Sequence, residues 1–182
     1  MVLFAFGCEA RVGKDTAALH LQKKFGGGIL SFAAPLRDIQ AYVQSRLHLP
    51  KKKERCFLQM IGDWGRNKKP TIFVDLLLDE ITANRARDAH VYVTDVRYAQ
   101  EFETLRAAGF TMIRILKHGR HVSHDLQVST HSSETSLLEA NWDFNVENNK
   151  TFEAFYATLD RLMIEAQNVD SIPPQKTPTC IF

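Results

Sequence analysis

The sequence predicts an α/β fold in which a parallel sheet carries helices on both faces. Three observations predict it. Short apolar runs of strand length alternate along the chain with longer stretches of helical spacing. The first run passes straight into a glycine-containing loop, "FGCEARVGKDTAAL", Phe6 to Leu19. Another run, "VYVTD", ends in an aspartate that is followed closely by an arginine. In open parallel sheets ligands lie beyond the carboxyl ends of the strands, which is where both polar segments fall.

Each element has its own signal. Val2–Phe6 is a continuous apolar run, the pattern of a parallel strand buried on both faces. Lys14–Phe25 is predicted helical and is ended by the triple glycine Gly26–Gly28. Ile29–Phe32 reads as a short strand. Pro35 suits the first turn of a helix running to about Leu47. Glu54–Trp64 places Phe57, Leu58, Met60 and Ile61 in an arrangement compatible with one helical face, and a further helix is expected from near Pro70 to near Asp88. Val91–Asp95 is a β-branched and aromatic strand. A helix over Gln100–Ala108 stops at Gly109, and Thr111–Lys117 is the next strand. His118–Ser133 is polar and without periodicity, so it reads as a loop; Ser133–Glu139 is expected to be a short helix and Asp143–Val146 the fifth strand. Phe152, Phe155, Tyr156, Leu159, Leu162 and Met163 recur at helical spacing and mark a closing amphipathic helix.

The 182 residues are enough for one domain, expected over residues 1–170, with a proline-rich tail over 171–182. Apolar residues at 45% and charged residues at 24% are ordinary for a globular protein. A formal net charge of +2 gives no strong field for nucleic acid or an anionic membrane, so neither is an expected partner. Three widely spaced cysteines, Cys8, Cys56 and Cys180, argue against a disulfide framework and for a reducing compartment. The apolar opening "MVLFAF" is too short for a membrane span and lacks the basic flank of a signal peptide. The expected location is the cytoplasm, the host cytoplasm for a viral chain.

The loop is the centre of the functional reading. A phosphate-binding P-loop reads G-x-x-x-x-G-K-[ST] between a strand and a helix, with backbone N–H groups and the helix N-terminus facing the anion. Gly13-Lys14 and the strand–loop–helix context agree with it. The spelling departs in two places: Cys8 stands where the first glycine belongs, with Gly7 one place early, and Asp15 stands where the hydroxyl belongs, with Thr16 one later. A small side chain is tolerable at Cys8, and Gly7 adds freedom to the turn. Asp15 is placed to take a magnesium ion directly or through water, and Thr16 to reach a phosphate. Cys8, Arg11, Gly13, Lys14, Asp15 and Thr16 are therefore the candidate nucleotide-binding residues, and Asp15 and Thr16 the candidate metal ligands. The competing reading is an ordinary glycine turn before a helix, with Lys14 a solvated lysine.

Arginines supply a second half. Arg37 follows Pro35-Leu36 at a helix start, Arg55 and Gln59 are four apart on one helical face, Arg66 sits in "GDWGRN" and Arg97 in "TDVRY". Brought together they would make a cationic cleft for a second anion, because the planar guanidinium bonds two phosphate oxygens at once. Taken singly, each is as readily a solvated side chain. Three roles are open to Asp95: orienting Arg97, holding a magnesium-bound water, or capping the next helix. His118, His121, His124 and His131 suggest metal, yet no cysteine accompanies them, and a solvated loop or a lid carrying Arg120 over the phosphates is preferred.

Several ordered segments, "VGKDTAA", "SFAAPLRDI", "ERCFLQMIGDWGR", "TDVRYAQEFETLRAAGF" and "HSSETSLLEANWDFNVENN", resemble the phage-type deoxynucleoside monophosphate kinases, a branch of the P-loop nucleoside monophosphate kinase fold. The resemblance spans residues 1 to about 165. It implies a P-loop NTPase three-layer fold with a parallel five-stranded sheet and a mobile lid. It also implies transfer of the γ-phosphoryl group of ATP, with Mg2+, to a deoxynucleoside monophosphate. Lys14 would hold the β- and γ-phosphates. Arg37, Arg55, Gln59 and Arg97 would line the monophosphate site; Arg66, Asp95 and Glu134 are further substrate-binding candidates. Lys14, Arg97 and Arg120 are the catalytic candidates. The partners implied are small nucleotides, and a homodimer is compatible with the reading. The family loop usually has glycine at the place of Cys8 and serine at that of Val12, and an aspartate often stands where Ala34 precedes Pro35. Phosphoryl transfer needs positioning and charge neutralisation more than covalent chemistry, which fits a chain with no evident catalytic dyad. A phosphomevalonate-type small-molecule kinase and a nucleotide-binding module without an acceptor remain alternatives. A GTPase does not, because "ENNKTF" lacks the guanine-reading N-K-x-D pattern.

Overall fold

Continuous apolar runs require both faces of each central strand to be covered, and the computed structural model shows how this is met. It describes residues 1–7, 11–87, 89–117, 137 and 140–170. The lid expected over 118–133, all but Leu137 of the short helix expected over 133–139, and the tail 171–182 lie outside the described residues. In chain order the elements are β1 (Leu3–Gly7), α1 (Lys14–Phe25), β2 (Gly28–Leu30), α2 (Ala34–Arg46), α3 (Arg55–Lys68), α4 (Ile72–Arg85), β3 (Val91–Val96), α5 (Ala99–Ala107), β4 (Thr111–Leu116), β5 (Phe144–Glu147) and α6 (Phe152–Asp170).

The five strands form one sheet in the order β2-β3-β1-β4-β5. All pairings are parallel, with Leu3 opposite Val91, Ala5 opposite Met112, Leu30 opposite Val93 and Ile115 opposite Val146. Side chains alternate across the sheet. Leu3, Ala5, Val91, Val93 and Met112 therefore meet Leu36, Phe73, Leu77, Phe102 and Leu105 from α2, α4 and α5. Phe4, Phe6, Tyr92, Ile113 and Ile115 face the other way, onto Ala17 and Leu21 of α1 and Phe155, Leu159 and Met163 of α6. Two apolar layers with β1 between them explain why "LFAF" has no polar position. Among the described residues no helix is long and apolar enough to cross a membrane.

Three details differ from the sequence expectation. β2 stops at Leu30 because Ser31 and Phe32 turn away to bond the end of β3. On α3 only Leu58 and Ile61 pack against the core, while Met60 stands exposed. On α6 Phe152 is also exposed, its ring lying against Tyr156 at 5.9 Å between centroids instead of entering the core.

α1 and α6 are fastened to each other outside the apolar layer. The His20 ring stacks on Tyr156 with centroids 4.0 Å apart and planes 2° from parallel. His20 Nε2 and Asp160 Oδ1 are 2.7 Å apart, and Lys24 Nζ donates to Asp160 Oδ2 at 2.8 Å. Burial works against the charge on Asp160, but the hydrogen bonds from Lys24 and His20 outweigh it and hold its carboxyl below the usual range.

Gly7 closes β1, and its role differs from the conformational freedom expected of it. Its φ is not in the left-handed region; a Cβ there would collide with the Trp142 ring and come within 3.1 Å of the Val96 carbonyl. Trp142 is itself held by a bond from its Nε1 to the Leu137 carbonyl at 3.2 Å and by an edge contact with Phe102. Gly7→Ala should therefore destabilise the fold by about 1–3 kcal/mol, the usual range for overpacking. A urea midpoint equal to the wild type would show that the ring has room to move aside.

Candidate active site

The carboxyl ends of β1, β2 and β3 gather the site. α1 starts at Lys14, directly after Gly13, whose φ of 108° and ψ of 21° lie in the left-handed region that glycine adopts without strain. The same glycine lies close under Asn148: a Cβ at Gly13 would come within 2.6 Å of Asn148 Nδ2. Asn148 Nδ2 donates to the Val12 carbonyl at 2.8 Å, and Val12 is buried in the layer beneath α6. Lys14 and Thr16 are half-buried, whereas Arg11, at φ 62°, and Asp15 are exposed. Cys8 lies outside the described residues.

Asp95, at the end of β3, bonds the segment between β2 and α2. Its Oδ1 accepts from the Phe32 N–H at 2.9 Å, and its Oδ2 accepts from the Ser31 hydroxyl at 2.6 Å and the Ala33 N–H at 3.0 Å. Of the roles open to it, capping the next helix belongs to another residue. Glu101 Oε2 accepts from the Arg97 N–H at 2.9 Å and the Tyr98 N–H at 3.1 Å, and so caps α5. Asp95 instead fixes where α2 begins, and with it the first-turn residue Arg37. Farther along, α2 turns Gln40 and Gln44 inward, and both side-chain amides donate to the Lys52 carbonyl, at 2.5 and 2.6 Å.

Two clefts open from this edge. The first, of about 340 Å³, is lined by Asp15 and Leu19 of α1, Ser31, Arg37 of α2, Thr94 and Glu80 among others. The second, of about 370 Å³, lies between α3, α4 and the start of α5, lined by Arg66, Phe73, Val74, Tyr98, Gln100 and Glu101 with Pro70 and Ala99. Here the Arg66 guanidinium carbon sits 4.3 Å from the Tyr98 ring centroid and 5.1 Å from that of Phe73. Its Nη2 is 3.8 Å from Glu101 Oε1 and its Nη1 3.9 Å from Asp63 Oδ1.

The structure thus brings Asp15 and Arg37 to one cleft and Arg66 to the other, with Arg97 exposed beside the second at the tip of β3. Arg55 and Gln59 are exposed on α3 and line neither cleft. Arg120 and Glu134, and the four histidines of the expected lid, lie outside the described residues. Glu101, Tyr98 and Asn148 were not singled out by sequence reasoning. Glu101 carried a signal, an acid three residues after the residue that precedes a helix; a buried asparagine after a strand carried none.

A three-layer α/β unit with a glycine–lysine turn at the head of α1 is the architecture of P-loop kinases. The fold is similar to that of a dephospho-CoA kinase from Campylobacter jejuni, with a TM-score of 0.59 at 14% identity, covering 92% of this chain and 98% of that one. It is also similar to a sugar kinase from Janibacter sp. HTCC2649, with a TM-score of 0.50 at 11% identity over 92% and 94% of the two chains. The model of the deoxynucleotide monophosphate kinase family matches residues 55–159, more than half of the chain, and the protein belongs to that family. It is 30% identical over 153 residues to the uncharacterized protein ORF77 of Ictalurid herpesvirus 1 (strain Auburn); the match covers 83% of this chain and 65% of that protein, so the chain spans less than two thirds of its relative's length.

Burial pushes the Glu101 carboxyl up to about 7; the nearby Asp95 adds to the rise, and the Arg97 and Tyr98 N–H groups and Arg66 oppose it. The folded protein then binds this proton more tightly than the unfolded chain, where the carboxyl titrates near its ordinary 4.5. Stability contributed through this group is full below about 4.5 and is lost as pH rises toward about 7, by at most about 3 kcal/mol. Unfolding free energies of wild type and Glu101→Gln, measured from pH 4 to 8, should diverge over that window, with the wild type falling more steeply. Parallel curves would place the Glu101 titration outside it.

Proposed function

We propose that the protein transfers the γ-phosphoryl group of ATP to a deoxynucleoside monophosphate, giving the diphosphate. The observation that carries the reading is the first cleft: the helix that follows the phosphate loop and the helix that bears Arg37 face each other across it. A kinase needs one anion-binding group for the donor and another for the acceptor, in reach of one another. In this reading Gly13, Lys14 and Thr16 hold the donor phosphates, with Lys14 following the transferring group. Arg37 and Arg97 hold the acceptor phosphate, and Arg120 is the third catalytic cation of the reading. The second cleft takes the acceptor base, its faces supplied by Tyr98, Phe73 and the Arg66 guanidinium and its polar edge by Glu101.

The acceptor phosphate is the nucleophile and is already ionised near neutral pH, so no side chain has to remove a proton. The chain's task is to align two anions that repel each other. Magnesium suits the oxygen donors at hand: the exposed carboxylate of Asp15, which lines the first cleft, and the hydroxyl of Thr16 would hold it. When bound it supplies neutralising charge at the phosphate oxygens. Asp95 acts at one remove, through its grip on Ser31–Ala33, by keeping Arg37 at the cleft.

The direct experiment measures ADP release from ATP and magnesium with each deoxy- and ribonucleoside monophosphate, and with phosphomevalonate as a control acceptor. Stimulation by at least one deoxynucleotide is expected. No stimulation by any of them, or stimulation by phosphomevalonate alone, overturns the reading. Lys14→Met should remain folded and lose turnover by orders of magnitude. Arg97→Ala should weaken monophosphate binding by about tenfold or more with ATP binding nearly intact. Arg97→Lys should recover only part, since a point charge does not grip two oxygens. Calorimetric titration of each nucleotide separates these outcomes; loss of ATP affinity with acceptor affinity kept would reverse the two assignments.

A further inference from the structure

We propose that Asn148 is a positioning residue for the phosphate loop: its side-chain amide, by bonding the Val12 carbonyl, aims the Gly13 N–H at the donor phosphates. The inference rests on the kinase reading of the loop and assigns a role to a residue on the opposite side of it, 136 positions away in sequence.

A trans peptide is planar, so its C=O and its N–H point in opposite directions. No cis peptide occurs among the described residues. Fixing the Val12 carbonyl on Asn148 therefore fixes the direction of the Gly13 N–H, which points away from Asn148. Gly13 is the residue immediately before α1, where an N–H has no partner within the helix and is available to an anion. Were the peptide to flip, the loop would lose one donor and turn a carbonyl oxygen toward phosphate oxygens, a double penalty. Glycine at 13 has a wide choice of backbone angles, so sterics alone do not forbid such a flip.

Asn148 is built to prevent it. It is buried, 8% exposed, just beyond the end of β5. Its backbone N–H donates to the Leu116 carbonyl at 2.7 Å, which ties it to the end of β4. The packing against the loop is close, since a Cβ on Gly13 would come within 2.6 Å of Asn148 Nδ2. An amide is the chemistry required. It donates to a carbonyl without adding charge beside the phosphates, whereas a carboxylate of the same shape presents only acceptors.

The test uses inorganic tripolyphosphate, which has phosphates and no base, alongside ATP and a deoxynucleoside monophosphate. Affinities are measured by calorimetry for the wild type, Asn148→Ala and Asn148→Leu; the leucine keeps the branched shape and loses the donor, so it carries the test if the alanine variant does not fold. In folded variants tripolyphosphate and ATP affinity should both fall about tenfold, while monophosphate affinity stays within about twofold. Unchanged tripolyphosphate affinity with weakened ATP binding would mean that Asn148 contacts the base, and overturns the inference while leaving the kinase reading intact. Equal loss for donor and acceptor would mean general damage and overturns it as well. A wild-type protein that binds neither ATP nor tripolyphosphate overturns the kinase reading and this inference with it.

Discussion

One carboxylate at the tip of β3 decides where half of the site stands. Asp95 accepts from the Ser31 hydroxyl and from two consecutive backbone N–H groups, those of Phe32 and Ala33. A helix start held only by packing could slide along the sheet; one held by three short bonds to a single side chain cannot. The direction of α2 follows from this, and with it the side on which Arg37 emerges and the packing of α3 against α2. Glu101 does the same work one element later for Arg97 and Tyr98. Arg37 and Arg97 are thus placed through acids that bond backbone N–H groups, while the Arg37 and Arg66 guanidinium groups line the two clefts.

Much of the layout was legible because burial on two faces writes itself as uninterrupted apolar sequence. "LFAF" and "VYV" are of strand length and rich in aromatic and β-branched residues, and the glycine–lysine turn after the first strand marks the edge where polar residues gather. What stayed hidden depends on partners distant in the chain. Nothing near Gly7 announces that Trp142 will lie across it, so its absent side chain read as flexibility when its use is space. Met60 and Phe152 fit their helical stripes by period, but period gives an angle around the axis and not the edge at which a neighbouring helix ends its contact. The position of Asp95 at a strand end marks it for a site role, yet its partners precede it by 62–64 residues, beyond what a local reading reaches.

The two clefts differ in chemical character, and the proposed reading gives one to the phosphates and the other to the base. The first combines two carboxylates, Asp15 and Glu80, with the hydroxyls of Ser31 and Thr94 and the Arg37 guanidinium. The second is walled by a tyrosine, a phenylalanine and the flat of a guanidinium, with a buried acid on one edge. Flat aromatic faces with a stacked guanidinium are the surfaces against which the proposed reading sets a planar base.

The sheet order also governs how such a chain must be assembled. β1 is made first but lies in the middle, between strands that begin about ninety and about one hundred and ten residues later. Emerging from the ribosome, it is an apolar segment with both edges unpaired until β3 and β4 are available, and the loop it carries waits longer still for Asn148 and the helix behind it. Long-range parallel pairing of this kind folds slowly and leaves strand edges open to other chains in the interval. The central strand, buried on both faces in the finished molecule, thus keeps an open edge until β4, ending at Leu116, has been made.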